Sequence, residues 1–249
     1  MVPASVGFQC PECVRAGQAG TRAVKGGGLK SAGRRWGPVT LSLIAVNVAM
    51  FVVTAVSAGL LGVSPFRNQL SPIFLDLVQW PPAVDAGEWW RLVTAAFLHI
   101  GPVHLLLNML ALLVFGSELE RQIGRWRYLA VYFVSILGGA AAVQLFTDSP
   151  VAGASTGIWG LMGAFAVLMI ASKQDLRGIV TLLAMNVLIS VVVPGISLVG
   201  HIGGLVGGVL ATTVLVLGRR NRTVQIVGTA VLAVVLLVLA LAVSTVAVL

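Results

Sequence analysis

Apolar residues fall into seven long runs that are separated by polar segments. A helix needs about 20 mainly apolar residues to cross a bilayer, and most of the runs approach that length. The fifth run is the shortest, because Pro194 and Gly195 end it. The pattern predicts an all-α polytopic membrane protein with spanning helices at about 39–61, 102–117, 128–146, 152–171, 179–193, 200–217 and 223–248.

Two polar segments are longer than simple connections between helices. Residues 1–37 form a basic tail, which we expect to be flexible. Residues 62–91 contain four prolines and three acidic side chains, but no apolar run of spanning length. We expect this second segment to lie on the membrane surface, where tryptophan is enriched. Its tryptophans are Trp80, Trp89 and Trp90.

Composition excludes a soluble globular domain. Hydrophobic residues make up 58% of the chain, charged residues make up 10%, and the mean hydropathy is +1.00. A soluble domain is nearer half apolar and a quarter charged. The net charge of +8 comes from short clusters between the apolar runs, which is typical of cytoplasmic loops rather than of a nucleic-acid surface.

The basic residues also predict an orientation. If there are seven spans, fourteen of the sixteen Lys and Arg residues fall on one side, and only Arg67 and Arg91 fall on the other. Cytoplasmic loops carry the excess of Lys and Arg. We therefore predict a multi-pass protein of the cell membrane with a cytoplasmic N-terminus and an external C-terminus.

The three histidines of the chain all lie in or beside apolar segments. Ionisable groups inside a membrane are costly and are functional candidates by default. His104, with Asn108 one turn later, opens the second span, and His201 opens the sixth. Ser155 lies in the first turns of the fourth span. All three spans run inward in this topology, so these four side chains share one depth below the outer surface.

Glycines at four-residue spacing suggest how these side chains meet. Such spacing lets helices approach closely in lipid, and it occurs in the fourth span and in the sixth, at Gly200, Gly204 and Gly208. Ser155 and His201 could then pair as nucleophile and base. Each feature alone has another interpretation: the serine as a packing residue, and each histidine as a metal ligand, a proton relay or a structural hydrogen-bonding group.

Four motifs resemble those of the rhomboid intramembrane serine proteases. GASTGIWGLMGA resembles the GxSG segment, FLHIGPVHLLLNMLALLVFG the second-helix HxxxN signature, and GHIGGLVGG the sixth-helix histidine segment. WWR at 89–91 resembles a Trp-Arg pair of the first external loop. The resemblance covers about 38–218, in the order of the family, and implies a rhomboid-like six-helix bundle with an additional C-terminal transmembrane helix.

The resemblance also implies chemical roles. Ser155 would be the nucleophile and His201 the general base, with no acid partner. His104, Asn108 and the backbone N–H of Ser155 would form the oxyanion hole. No cofactor is implied. The substrates would be single-pass or polytopic membrane proteins, cut in or near a membrane-spanning segment in the lipid bilayer, and they would enter beside helix five.

Other positions receive supporting roles from the same resemblance. Trp159 would lie beside the dyad histidine and contribute to substrate binding. A second set would be structural: Trp90, Arg91, His99, Gly153, Gly157 and Gly204. One position departs from the family, because Thr156 stands where glycine usually follows the serine. We expect its side chain to crowd the oxyanion hole, with Gly157 compensating.

The predicted domain organisation has three parts. Residues 1–37 are a cytoplasmic basic tail, 38–218 are the protease core with its external loop at 62–91, and 219–249 are a linker and a seventh helix that anchors or packs. Cys10 and Cys13 in the tail have zinc-ribbon spacing. Two thiolates are only half of a four-ligand site. The tail resembles the end of a Cys/His-rich module that precedes the core in some bacterial rhomboids, so these cysteines are a candidate half zinc site, either a relic or part of a longer module. No metal is predicted in the core.

Two other functions compete with proteolysis. The first is a catalytically inactive rhomboid-like protein that binds membrane clients without cutting them. Such relatives usually lose the serine or the histidine, and both are present here. The second is a transporter or channel that uses His104, Asn108 and His201 as a polar path. That function would need polar residues continuing inward, whereas the inner halves of these spans are almost wholly apolar.

Overall fold

The computed structural model describes residues 2–3, 8–12 and 29–242. The chain divides into two compact units, residues 1–32 and 33–249. In the first unit, two-residue strands β1 (Val2–Pro3) and β2 (Phe8–Gln9) pair antiparallel. Cys10 is exposed. Cys13 lies outside the described residues, so the half zinc site stays a prediction.

The second unit contains seven apolar helices within its described residues. Five are long and apolar enough to cross a membrane, and the fourth and fifth are shorter. The prediction of a helical polytopic membrane protein is thereby confirmed, while the count of seven spans stays a prediction. The helices are α1 (Pro38–Leu60), α2 (Gly101–Ile123), α3 (Arg125–Phe146), α4 (Ser155–Ala171), α5 (Arg177–Val192), α6 (Leu198–Leu217) and α7 (Arg222–Ala242).

Several boundaries differ from the sequence prediction, as two examples show. The fourth helix begins at Ser155 rather than near 152, because Gly153 has a φ of 133°, which is incompatible with a helix. A short helix, Leu29–Trp36, lies in the segment that we expected to be a flexible tail. The first boundary affects function, since it makes Ser155 the first residue of α4.

Helices α3, α4 and α6 pack together and form the centre of the second unit. Of the five long helices, α3 is the most deeply buried. Glycines on α6 allow the close packing: a Cβ added at Gly208 would collide with the Gly160 carbonyl oxygen, and one at Gly204 would collide with the Thr156 carbonyl oxygen. The two helices that carry the serine and His201 are therefore in backbone contact, as the glycine spacing predicts.

Helix α7 packs against α3 and α6. The Gln225 side chain donates a hydrogen bond to the Leu215 carbonyl at 3.1 Å and accepts one from Arg127 Nε at 2.8 Å. These polar contacts join three helices where α6 ends and α7 begins. They fit the expected anchoring or packing role of α7.

Residues 62–91 form short helices instead of a span, as predicted. They are Pro65–Leu70, Pro72–Leu77 and Pro81–Asp85. Arg91 begins the next short helix and is buried beneath the segment, where it pairs with Glu88 and donates to the carbonyls of Leu75 and Val78. Trp90 donates through Nε1 to the Asp76 carbonyl at 3.3 Å. These contacts fit the structural roles expected of Trp90 and Arg91.

A buried carboxylate caps the first helix. Glu120, on α2, accepts hydrogen bonds from the backbone N–H groups of Val39 and Thr40 at 3.1 and 2.8 Å, and from the Thr40 hydroxyl at 2.9 Å. A negative charge near a helix N-terminus is favourable, because unpaired N–H groups point toward it. Glu120 therefore ties α1 to α2 at the end of the bundle opposite the serine, and it was not among the predicted site residues.

Candidate active site

Ser155 is the first residue of α4, and within the described residues the first backbone N–H groups of that helix have no acceptor. The first backbone bond of α4 runs from Ile158 N–H to the Ala154 carbonyl at 3.0 Å. The N–H groups at the beginning of a helix have no intrahelical acceptor, and Ala154, in the N-cap position, has no side chain that could accept from them. Ser155 itself is partly exposed, between buried neighbours. It therefore stands beside donors and a helix dipole that would stabilise a developing negative charge.

His104 lies against the same point of the chain. A Cβ added at Gly153 would be 2.9 Å from His104 Nε2 and 3.5 Å from Ser155 Oγ, so the imidazole and the hydroxyl flank Gly153. The backbone N–H of Ile100 donates to His104 Nδ1 at 3.2 Å. In a neutral imidazole, one nitrogen accepts and the other carries the hydrogen. His104 therefore presents an Nε2–H donor on the side of Gly153 and Ser155.

Asn108 lies one turn after His104 on α2 and is buried. Its Nδ2 donates to the His104 backbone carbonyl at 2.9 Å. One of the two amide hydrogens is therefore used within the helix, and one remains for another acceptor. The structure thus places Asn108 on α2 one turn after His104, and this bond joins the two residues.

His201 is buried near the beginning of α6, between two side chains. Its ring stacks on Trp159, with 4.7 Å between the ring centroids and 17° between the planes. Trp159 lies one helical turn after Ser155, as the resemblance predicts. On its edge, His201 Nδ1 lies 2.9 Å from the hydroxyl of Ser190, on α5. Sequence reasoning missed Ser190, because its hydroxyl is one of several polar groups in a mainly apolar helix and nothing in the spacing distinguishes it.

Ser155 and His201 make no direct hydrogen bond within the described residues. They come from helices that touch one turn deeper, where Gly204 meets the Thr156 backbone. Catalytic hydrogen bonds are often long before substrate binds and tighten in the complex. The structure therefore brings Ser155 and His104 together around Gly153, with Asn108 one turn after His104 on α2 and His201 stacked on Trp159.

Thr156 does not occupy the position that we expected from the resemblance. Its side chain is buried between α3 and α6: a Cβ on Gly139 would be 2.8 Å from Thr156 Cβ, and a Cβ on Gly200 would be 3.3 Å from Thr156 Cγ2. The methyl group fills the space that two glycines leave open. The α4 N-terminus turns this side chain into the bundle, so that its role is packing.

We therefore expect Thr156→Gly to destabilise the protein. It would leave a cavity between Gly139 and Gly200 and add a flexible residue to the first turn of α4, which together cost about 1–2 kcal/mol. Thermal unfolding in detergent should show this loss of stability. Thr156→Ser, which lacks only the methyl group, should have a stability between those of the wild type and Thr156→Gly. Higher activity with unchanged stability would contradict this role, because it would show that the side chain crowds the reacting centre.

His99 lies just before α2 and is fully buried. Neither ring nitrogen makes a well-aligned hydrogen bond within the described residues. Burial, reinforced by the nearby His104 ring, lowers the pKa of His99 to about 3, so the ring is neutral near pH 7. Its carbonyl accepts from Asn68 Nδ2 at 2.8 Å, and Asn68 Oδ1 accepts from Gly101 N–H at 3.0 Å. His99 therefore fits the structural role expected of it, with its ring 5.1 Å from that of His104.

The fold and these contacts define a class: a polytopic helical membrane protein with a serine and two histidines gathered at one end of its bundle. A family model described as "Rhomboid domain" matches residues 86–218, which is more than half of the chain. The chain belongs to the rhomboid family. This match includes all four motifs on which the resemblance rested.

Individual relatives support the same family. The chain is 38% identical over 143 residues to the rhomboid protease GluP of Bacillus subtilis. The aligned region covers 55% of this chain but only 28% of GluP. It is 37% identical to YdcA of the same organism, over 56% of this chain and 73% of YdcA. It is 28% identical to the rhomboid protease AarA of Providencia stuartii, over 72% of this chain and 73% of AarA.

Proposed function

We propose that this protein is an intramembrane serine protease that hydrolyses peptide bonds in or near transmembrane segments of other membrane proteins. The observation that carries the proposal is the placement of Ser155 at the N-terminus of α4, flanked by the His104 ring across Gly153. The stacking of His201 on Trp159, one turn after the serine, supports the choice of base. Membership of a family that includes the named proteases GluP and AarA supports the reaction class.

The proposed reaction begins at Ser155 Oγ. It attacks the scissile carbonyl carbon while His201 accepts the hydroxyl proton, and a tetrahedral oxyanion forms. The Ser155 N–H, His104 Nε2–H and the remaining Asn108 N–H would donate to that oxyanion; removal of one such donor costs about 10²–10³ in rate. His201 then gives the proton to the leaving amine. Water, activated by the same histidine, hydrolyses the acyl-enzyme and regenerates Ser155.

The arrangement of the chain in the membrane is part of the proposal. The N-terminus would be cytoplasmic and the C-terminus external, in the cell membrane, with the dyad toward the external face. Residues 38–218 would be the protease core, after a tail at 1–37 and before an additional helix in 219–249. Substrates would be single-pass or polytopic proteins in the same bilayer. Exposed tryptophans on the 62–91 segment support its place at the membrane surface.

The presence of both dyad residues favours the protease over an inactive client-binding protein. Covalent labelling separates the two: purified protein in detergent should react with a fluorophosphonate probe, and mass spectrometry of the digested product should find the probe on Ser155. The same preparation in liposomes should cleave a reconstituted single-pass model substrate. Heat-denatured protein is the matched control, because it retains the serine without the folded site. An absence of both labelling and cleavage in folded protein would support the client-binding alternative.

A further inference from the structure

We infer that Ser190, on α5, is a positioning residue that holds His201 in the tautomer and ring orientation needed for a general base. The inference rests on the proposed function, since it concerns the base of that reaction. Three observations carry it: the two hydrogen-bond contacts of the Ser190 hydroxyl, the burial of Ser190, and the stacking of the His201 ring on Trp159.

The two hydrogen-bond partners of the Ser190 hydroxyl favour one tautomer of His201. The Ser190 hydroxyl donates to the Asn186 carbonyl at 2.8 Å, so its single hydrogen is used there. Its oxygen is then an acceptor for His201 Nδ1, at 2.9 Å. In that arrangement the neutral imidazole carries its hydrogen on Nδ1 and a lone pair on Nε2. A base that deprotonates Ser155 needs that lone pair, and the tautomer is set by the bond that the other nitrogen makes.

The burial of Ser190 is unusual for α5. Of the sixteen residues of this fully described helix, only Ile179 and Ser190 are buried, and most of its other side chains are exposed. Ile179 packs on Trp159 and Met162, as an apolar side chain should. Ser190 instead presents a hydroxyl to the edge of a histidine. A small apolar residue would fill the same space but could not form a hydrogen bond. The hydroxyl is therefore explained by its contact with the His201 ring.

Stacking and hydrogen bonding restrict different motions of the ring. The contact with Trp159 fixes the plane of the imidazole. It still allows a 180° flip about the Cβ–Cγ bond, which keeps that plane and exchanges Nδ1 with Cδ2. The bond to Ser190 selects one of these two orientations. Ser190 and His201 are joined through the turn at Pro194 and Gly195, where Gly195 has a φ of 84°. The base is therefore correctly oriented only while α5 and α6 keep this spacing.

Nitrogen NMR of histidine-labelled protein tests the tautomer directly. The chain has only three histidines, so each ring gives a resolvable pair of signals. Protonated and unprotonated ring nitrogens differ widely in chemical shift. We expect wild-type His201 to carry its hydrogen on Nδ1, and we expect Ser190→Ala to shift His201 toward the Nε2–H tautomer while the His104 signals stay unchanged.

Kinetic measurements on Ser190 variants test whether the orientation of His201 affects catalysis. Ser190→Ala should lower kcat about tenfold, as loss of one hydrogen bond on the base predicts, with KM nearly unchanged. Ser190→Thr keeps the hydroxyl and should restore most of kcat. Thr181→Ala, which removes a hydroxyl from an exposed position of the same helix, is the matched control and should behave as wild type. Fluorophosphonate labelling of Ser155 should slow in parallel with kcat.

Two results would overturn the inference. One is a wild-type His201 with its hydrogen on Nε2; the other is a Ser190→Ala protein with unchanged kcat and tautomer. Equal losses in Ser190→Ala and Ser190→Thr, with lower thermal stability in both, would assign Ser190 to packing and also contradict it. Failure of the proposed function is distinguishable, because Ser155 would then remain unlabelled in the wild-type protein.

Discussion

Ser155→Ala and His201→Ala should each reduce cleavage of a membrane substrate to the uncatalysed background. In serine hydrolases, loss of either the nucleophile or its base costs on the order of 10⁴–10⁶ in kcat. The reason is that the proposed mechanism assigns nucleophilic attack to Ser155 and proton transfer to His201, and gives neither role to any other side chain. The double variant should be no worse than either single one, because the two residues act as a unit.

Matched controls separate lost chemistry from lost folding. Ser172→Ala removes an exposed hydroxyl from the opposite end of α4 and should keep full activity. His201→Phe keeps an aromatic ring to stack on Trp159 but cannot accept a proton, so it should remain folded and inactive. Cleavage at the wild-type rate in Ser155→Ala or in His201→Phe would remove that residue from the mechanism, provided that thermal unfolding shows an intact protein.

The helices could be predicted from sequence because the bilayer imposes a length and a composition on each one. Helix α1 begins at Pro38 as expected, and α6 ends at Leu217 as expected. The beginning of α4 was three residues off, because apolarity continues through residues 152–154 while the φ of Gly153 interrupts the helix. Apolarity reports membrane depth, whereas a helix end is determined by local backbone conformation.

The candidate site could be predicted from sequence as far as it depends on the depth of polar side chains in the membrane. Ser155, His104 and His201 are rare polar groups in apolar helices, and their shared level followed from the topology. Two features needed the packed structure. Whether Thr156 faces the site or the bundle depends on the rotation of α4, and Ser190 reaches His201 only because the chain turns back between α5 and α6. Spacing along the sequence contains no information about such contacts.

The glycines of α6 connect the fold to the chemistry. A Cβ at Gly204 would overlap the Thr156 carbonyl oxygen and carbonyl carbon, which belong to the backbone and cannot rotate away. The neighbouring helices would have to separate. That movement would displace His201, one turn before Gly204 on the same helix, from the α4 N-terminus. Stability and activity should therefore fall together when this contact is disturbed.

Gly204→Ala should lower the free energy of unfolding by about 2 kcal/mol or more, because overpacking against backbone is relieved only by moving helices. Thermal unfolding in detergent measures that loss, and fluorophosphonate labelling of the remaining folded protein should also slow. Gly178→Ala is the matched control: no described atom lies within 4 Å of a Cβ there, and alanine favours the helix, so stability should be unchanged or slightly higher. If Gly204→Ala behaved like Gly178→Ala, the packing of α6 on α4 would not hold His201 beside Ser155. The position of His201 relative to Ser155 would then depend on its contacts with Trp159 and Ser190 alone.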